Sequence, residues 1–150
     1  MNNDSSTIID HYGNLKFWLY IAPESRVPYI LDFEDKQVRE NLINSNKVVI
    51  KDEKITMNIT YPLSVEVNRT LEKKGGFTRM DIFKNIYEAY KQIYEEEEKG
   101  VGDPDSYDNL YNRKKSGGKY GIWGHYIGDL VIESVIYDPK EKMLDMFIGS

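Results

Sequence analysis

One stretch of this sequence has a sustained helical period, and it limits the possible folds more than any other feature. Between Arg79 and about Glu98 the apolar residues recur at steps of three and four, which is typical of an amphipathic helix. The apolar stripe consists of Ile82, Phe83, Ile86, Tyr90, Ile93 and Tyr94. Thr78 is followed three residues later by Asp81, a pair that resembles a capping box and predicts the start of the helix. A stripe of this width is predicted to lie across a sheet.

The last turn of the predicted helix contains four consecutive carboxylates, Glu95 to Glu98. Negative charge is unfavourable at the C-terminal end of a helix, so we expect this turn to fray before the stop signal at Gly100. A run of like charges is usually a solvated face, and this one fits a weak cation site poorly. We therefore expect all four side chains to lie in solvent.

The rest of the sequence contains short runs of β-forming residues divided by turn residues. The predicted strands cover residues 14–22, 27–33, 47–51, 54–61, 65–71, 129–138 and 142–148. The first two runs, the next two and the last two are each separated by a short turn, so each pair is predicted to form a hairpin. Arg69 interrupts the apolar alternation of the run 65–71, which predicts a strand that lies at the edge of the sheet or leaves the sheet early. A short, weakly amphipathic helix is predicted over 34–44.

These elements predict one α+β domain over residues 14–150. Its antiparallel sheet has about five to seven strands, joined as hairpins or a meander, and the long helix at about 78–98 packs on one face. The polar residues 1–13 are predicted to form a mobile N-terminal arm. Residues 100–119 are rich in Gly, Asp, Asn and Ser, so they are predicted to form one long surface loop with a functional role.

Composition excludes several classes of function. The chain has no cysteine, which excludes disulfides, zinc–thiolate sites, iron–sulfur ligation and thiol nucleophiles. The net charge of −5 repels phosphate backbones and anionic lipids, so we expect neither a nucleic-acid partner nor a membrane partner. The first residues contain no basic region and no long apolar run, so we expect a cytoplasmic protein. Because no dinucleotide or P-loop fingerprint occurs, no cofactor is expected.

Four segments resemble a family of uncharacterised proteins of large protist-infecting DNA viruses and of some of their hosts. The segments are YPLS at 61–64, GFTRMDIF at 76–83, YEEEE at 94–98 and GKYGIWGHYIGDLVIES at 118–134. The YGIWGH sequence followed by a DLV strand is the most specific of them. The resemblance implies a small viral accessory or virion-associated protein that works in host cytoplasm. It implies no catalytic residues, because the family has no assigned reaction.

Aromatic residues are concentrated in and just after the 100–119 loop. The candidate binding residues are Tyr107, Tyr111, Tyr120, Trp123 and Tyr126. Exposed aromatic rings bury a large area at low entropic cost, and protein interfaces use them as anchors. They indicate a protein partner or self-association. The alternative is that the rings fill gaps in a core where alanine and leucine are scarce, and the sequence alone leaves both interpretations open.

Histidine occurs only at positions 11 and 125, which limits any acid–base scheme. His125 precedes Asp129 by four residues, so the carboxylate could orient the imidazole as a general base, or the two could supply half of a metal site. This pair gives the alternative function, a small hydrolase or transferase with a pocket beside the 100–119 loop. No G-x-S-x-G elbow frames a serine nucleophile. We favour a packed imidazole that hydrogen-bonds backbone carbonyls in a glycine-rich turn.

Two charged clusters in or next to the loop are candidate ion sites. The acidic cluster consists of Asp103, Asp105 and Asp108, and the basic cluster of Arg113, Lys114, Lys115 and Lys119. Carboxylates suit a hard cation such as calcium, but the spacing lacks the glycine and the final glutamate of an EF-hand loop. The basic cluster surrounds Ser116-Gly117-Gly118 and offers a place for an anion, but it departs from the P-loop pattern. We favour a solvated loop in both cases and expect no bound metal.

The sequence therefore favours a non-catalytic protein-binding module over an enzyme. The predicted recognition surface consists of residues 103–126, which combine the aromatic cluster with the glycine-rich bend.

Overall fold

The structure is a computed structural model, and it describes residues 7–17, 29–31, 33–40, 42, 44–101, 116–124 and 126–149. The strands are β1 (Thr7–Ile9), β2 (Leu15–Phe17), β3 (Tyr29–Ile30), β4 (Val48–Ile50), β5 (Lys54–Ile59), β6 (Val67–Glu72), β7 (Phe77–Thr78), β8 (Val131–Asp138) and β9 (Met143–Gly149). The helices are α1 (Lys36–Glu40) and α2 (Arg79–Val101), and a single 3₁₀ turn spans Ile127–Asp129. The predicted α+β class is confirmed.

Within the described residues, seven strands form the main sheet in the order β1-β2-β8-β9-β5-β6, with β3 paired to β8 beside β2. The pairs are antiparallel except for β5 and β9, which run parallel. The number of strands agrees with the sequence prediction, whereas the parallel pair was not predicted. The predicted C-terminal hairpin is confirmed as β8–β9, and β6 lies at the edge of the sheet as predicted.

The described parts of the two runs 14–22 and 27–33 do not pair with each other as the predicted hairpin requires, and residues 18–28 of that prediction lie outside the described residues. Both β2 and β3 pair with β8 instead, with Phe17 opposite Val135 and Tyr29 opposite Ile132. Because β9 occupies the other edge of β8, the two short strands lie end to end along one edge rather than side by side. β8 lies inside the sheet and its Ile132 and Val135 side chains are fully buried, so strands that pair with it bury apolar surface.

The predicted tight hairpin between 47–51 and 54–61 is also wrong. β4 pairs with β7, with Ile50 opposite Phe77, while β5 lies between β6 and β9 in the main sheet. The connecting residues are held by the segment after β6. The Glu53 carbonyl accepts the Lys73 N–H at 2.8 Å, and the Glu53 carboxylate accepts the Gly75 N–H at 2.5 Å. These bonds join the connection between β4 and β5 to the connection between β6 and β7.

Residues 7–9 belong to the sheet as β1 and residues 10–13 form the turn to β2, which corrects the prediction of a mobile arm over 1–13 for the described residues. β1 pairs with β2, and Thr7 lies opposite Phe17. The Asp10 carboxylate closes the intervening turn by accepting the backbone N–H groups of Tyr12 at 2.8 Å and Asn14 at 3.0 Å. An aspartate side chain that bonds nearby backbone is a common turn-forming device. The part of that prediction that covers 1–6 lies outside the described residues.

The long helix covers the sheet as the apolar stripe predicts. Its buried apolar residues are Ile82, Phe83, Ile86, Ala89, Tyr90 and Ile93, and they share one core with sheet residues such as Met57, Val135 and Leu144. The predicted capping box is present, because the Thr78 N–H donates to the Asp81 carboxylate at 2.9 Å and the Asp81 N–H donates to Thr78 Oγ1 at 3.1 Å. The helix continues to Val101, so its last turn is formed.

Candidate functional site

The C-terminal end of α2 carries a buried carboxylate. Glu97 is 3% exposed, whereas Glu95, Glu96 and Glu98 are exposed. The expectation that all four glutamates lie in solvent is therefore wrong for Glu97. Its position extends the apolar stripe by one more helical step, from Ile93 to Glu97, so the spacing of the stripe could have revealed its burial. A buried carboxylate requires hydrogen-bond donors close by.

The segment 116–122 supplies those donors. Ser116 Oγ donates to Glu97 Oε2 at 2.5 Å, and the Tyr120 N–H donates to Oε1 at 3.2 Å. Ser116 Oγ accepts the Ile122 N–H at 2.6 Å, while the Ser116 N–H donates to the Ile122 carbonyl at 2.8 Å. The segment thus closes on itself around one carboxylate. Hydrogen bonds to a charged group are stronger than neutral ones, so this anchor holds the segment against α2.

Tyr120 is 7% exposed and lies in the core, which removes it from the predicted set of binding residues. Its hydroxyl donates to the Glu96 carboxylate. The bond to Glu96, followed by burial, raises the pKa of the Tyr120 hydroxyl to about 12. The same bond, together with one from Gln92, lowers the pKa of Glu96 below its ordinary value. Tyr120 is therefore a second anchor between the bend and α2.

Trp123 follows this anchored segment, and its side chain is 49% exposed. Its backbone N–H donates to the Pro62 carbonyl at 2.9 Å. Ser64 strengthens the same contact, since its N–H donates to the Tyr120 carbonyl at 3.0 Å and its Oγ to the Gly121 carbonyl at 2.7 Å. The segment 61–65 and the segment 120–123 therefore run side by side.

The segment 61–65 also exposes two apolar side chains, Tyr61 and Val65. With Trp123 they make three exposed apolar residues on two hydrogen-bonded segments, and we call this set the Trp123 surface (Tyr61, Val65 and Trp123). The sequence identified Trp123 through its aromatic neighbours. It gave no indication of Tyr61 or Val65, because they are distant in the chain and belong to a region predicted as strand.

Two further candidates lie just beyond Trp123. The Asp129 carboxylate accepts the backbone N–H of Tyr126 at 2.9 Å and so caps the 3₁₀ turn. Asp129 is exposed and Tyr126 is half-buried. The proposed catalytic partner of Asp129, His125, lies outside the described residues. The structure therefore gives Asp129 a local structural role, and its pairing with His125 stays a prediction.

The remaining candidates fall mostly in the part of the chain that the structure does not describe. They are Tyr107, Tyr111, Asp103, Asp105, Asp108, Arg113, Lys114 and Lys115. Lys119 is described, and its exposed side chain places Nζ 5.3 Å from the centroid of the Tyr120 ring. Among the described residues, no cluster of three or more histidine, aspartate or glutamate side chains could hold a metal ion. None of the described helices has both the length and the apolar character needed to cross a membrane.

Comparisons with models of protein families, with curated proteins and with solved structures found no match to this chain.

Proposed function

We propose that this protein is a binding module that recognises another protein through the Trp123 surface. The observation that carries the proposal is a half-exposed indole on a segment fixed at both ends. Tryptophan is enriched among residues that dominate binding energy, and it has few rotatable bonds to restrain when a complex forms. Tyr61 and Val65 are two further exposed apolar residues, on the segment that is hydrogen-bonded to the Trp123 segment.

The fixed backbone around Trp123 supports this proposal. Glu97 and Tyr120 hold the segment to α2 from one side, and the Pro62 carbonyl holds the Trp123 N–H from the other. A side chain presented from an ordered segment loses less conformational freedom on binding than one presented from a flexible loop. The anchors therefore increase the affinity that one exposed ring can provide.

The test compares Trp123→Ala with Tyr12→Ala in the full chain. Tyr12 is a matched control because it is also an exposed aromatic residue, but it lies in the turn between β1 and β2, at the sheet edge opposite β6. Tagged proteins are used to capture partners from host cells, and the captured protein is then purified for a direct affinity measurement. We expect Trp123→Ala to weaken that affinity about 30-fold, as for a loss of about 2 kcal/mol, and Tyr12→Ala to leave it unchanged.

Equal affinity of the parent and Trp123→Ala contradicts the proposal. Sedimentation at two protein concentrations shows whether the captured partner is a second copy of the chain. If it is, the Trp123 surface is a self-association surface, and Trp123→Ala must shift the protein toward the monomer.

The biological setting is a proposal drawn from the sequence resemblance alone. The YGIWGH segment supports a small viral accessory or virion-associated protein in host cytoplasm. Mass spectrometry of purified particles separates the two roles, because a virion-associated protein is present in stoichiometric amounts and an accessory protein is absent.

A further inference from the structure

The face of the main sheet that is turned away from α2 carries exposed apolar side chains. Side chains alternate between the two faces along each strand, so those that lie between the buried core residues point to this second face. Phe147 of β9 is 50% exposed, and Ile8 of β1 is 46% exposed. We call this surface the open face, and it includes Ile8, Lys16, Ile136, Asp145 and Phe147.

The strand register places three of these residues in one row across the sheet. Lys16 lies opposite Ile136, and Ile136 lies opposite Asp145. Residues that are directly opposite each other share a face of the sheet, and neighbouring strands are about 4.8 Å apart. Ile136 is half-buried and therefore stands between a cation on one neighbouring strand and a carboxylate on the other.

This row is complementary in charge to a second copy of itself. Suppose that two open faces pack against each other around a two-fold axis that is parallel to the strands and passes over Ile136. Lys16 of each copy then faces Asp145 of the other copy, because a two-fold contact is reciprocal. An axis across the strands would instead place the two lysines opposite each other. The charges thus favour one arrangement of the two copies.

The side chains suit a contact of this kind. Sheets that pack face to face are about 10 Å apart, and the long stem of lysine reaches across much of that gap. The Asp145 carboxylate accepts a hydrogen bond from Asn58 Nδ2 at 3.0 Å and has the capacity to accept more. The Lys16 ammonium lies 5.7 Å from the centroid of the Phe147 ring. An ammonium has three donors, so Lys16 can contact this ring and a facing carboxylate together.

The area of the open face is close to what a weak dimer needs. The six strands in the order β1-β2-β8-β9-β5-β6 span about 24 Å, and a six-residue strand is about 20 Å long. Each copy therefore contributes about 500 Å², and the two copies together bury about 1,000 Å², which is the lower end for a specific interface.

We propose that a second copy of this chain packs on the open face, in a two-fold contact that is centred on Ile136. The two copies are joined by two Lys16–Asp145 ion pairs around an apolar centre. This inference does not depend on the proposed function, because the Trp123 surface lies on other segments of the chain.

Sedimentation equilibrium of the full chain between about 5 and 500 µM tests for the dimer. Each copy has a net charge of −5, so the experiment uses about 0.15 M salt, where long-range repulsion is screened beyond about 8 Å. We expect a dissociation constant on the order of 10 to 100 µM, because the interface is small.

Two charge reversals make the decisive comparison. Lys16→Glu and Asp145→Lys each place like charges opposite each other at both ion pairs, so we expect each variant alone to dimerise at least tenfold more weakly than the parent. A mixture of the two variants restores both pairs, since the introduced glutamate faces the introduced lysine and the two unchanged residues face each other. We expect the mixed dimer to be within about threefold of the parent in affinity.

The controls separate this contact from other causes. Lys84→Glu makes the same change in net charge at an exposed position on α2, and it dimerises like the parent. Rescue in the mixture also shows that both charge-reversal variants are folded. Trp123→Ala leaves the dimer unchanged, so a loss of the dimer in that variant assigns self-association to the Trp123 surface and overturns this inference.

Three further results overturn it. The first is a parent that sediments as a monomer at every concentration. The second is a charge-reversal variant that dimerises as tightly as the parent. The third is a mixture of the two variants, each shown to be folded by circular dichroism, that does not dimerise.

Discussion

Ser116 Oγ and the buried Glu97 carboxylate lie 2.5 Å apart, and this hydrogen bond joins the glycine-rich bend to the end of the long helix. It fixes one end of the segment whose other end carries the exposed Trp123. The same helix end also holds Tyr120 through Glu96. A stretch of four glutamates, which resembles a solvated face in the sequence, thus positions the proposed recognition surface.

Replacing the buried carboxylate tests this anchor. Glu97→Ala leaves the Ser116 hydroxyl and the Tyr120 N–H without their acceptor, so we expect the free energy of unfolding to fall by about 2–3 kcal/mol. Glu98→Ala is the matched control, since Glu98 is exposed on the same turn, and its effect stays within about 0.5 kcal/mol. Urea unfolding measures the change in unfolding free energy for both variants. Equal effects of the two variants contradict a structural role of Glu97.

The turn between β6 and β7 contains two glycines, which differ in the space available for a side chain. Gly75 and Gly76 both have positive φ angles, of 87° and 91°. A Cβ at Gly76 would collide with the carbonyl oxygen of Ile50, whereas a Cβ at Gly75 meets nothing within 4 Å. We expect Gly75→Ala to lose about 1 kcal/mol from backbone strain and Gly76→Ala to lose clearly more. Thermal unfolding of the two variants makes the comparison, and equal losses contradict the close contact with β4.

The capping box at the start of α2 predicts a stability effect of its own. Thr78→Ala removes the oxygen that accepts the Asp81 N–H, and we expect a loss of about 1 kcal/mol in the free energy of unfolding. Thr78→Ser keeps the hydroxyl and serves as the control, with a much smaller loss. If both substitutions cost the same amount, the threonine methyl group and not the cap is responsible.

The Tyr120–Glu96 bond predicts a pH dependence. This bond is the largest cause of the lowered pKa of Glu96, so Tyr120→Phe should raise that pKa toward its ordinary value of 4.5. A carboxyl group with a lowered folded-state pKa stabilises the protein above its unfolded-state pKa, and this contribution is lost as the pH falls through the folded-state pKa. The difference in unfolding free energy between the parent and Tyr120→Phe should therefore narrow below pH 4.5. Carboxyl NMR titration of Glu96 measures the shift directly, and an unchanged pKa in the variant contradicts the bond.

The long helix, its cap and the C-terminal hairpin could be predicted because each is encoded by neighbouring residues. The strands that pair with β2 and β4 could not be predicted, because β8 and β7 are remote in sequence and tertiary burial decides which strands pair.

At the site, the sequence identified Trp123 but placed Tyr120 in the same exposed group. Ring type alone does not tell whether a residue in a glycine-rich bend faces the core or solvent. The burial of Glu97 was not predicted. Its position continues the apolar stripe of α2, but a charged side chain is expected to lie in solvent.

Site-specific photo-crosslinking tests the recognition surface most directly. A benzophenone amino acid replaces Val65, which is exposed on the segment hydrogen-bonded to the Trp123 segment, and this replacement leaves the indole in place. In a second protein the benzophenone amino acid replaces Tyr12 as the control. The account predicts that the probe at position 65 forms a covalent adduct with the captured partner, that Trp123→Ala abolishes the adduct, and that the probe at position 12 forms none. An adduct from position 12 but not from position 65, with the partner still captured, would contradict the account.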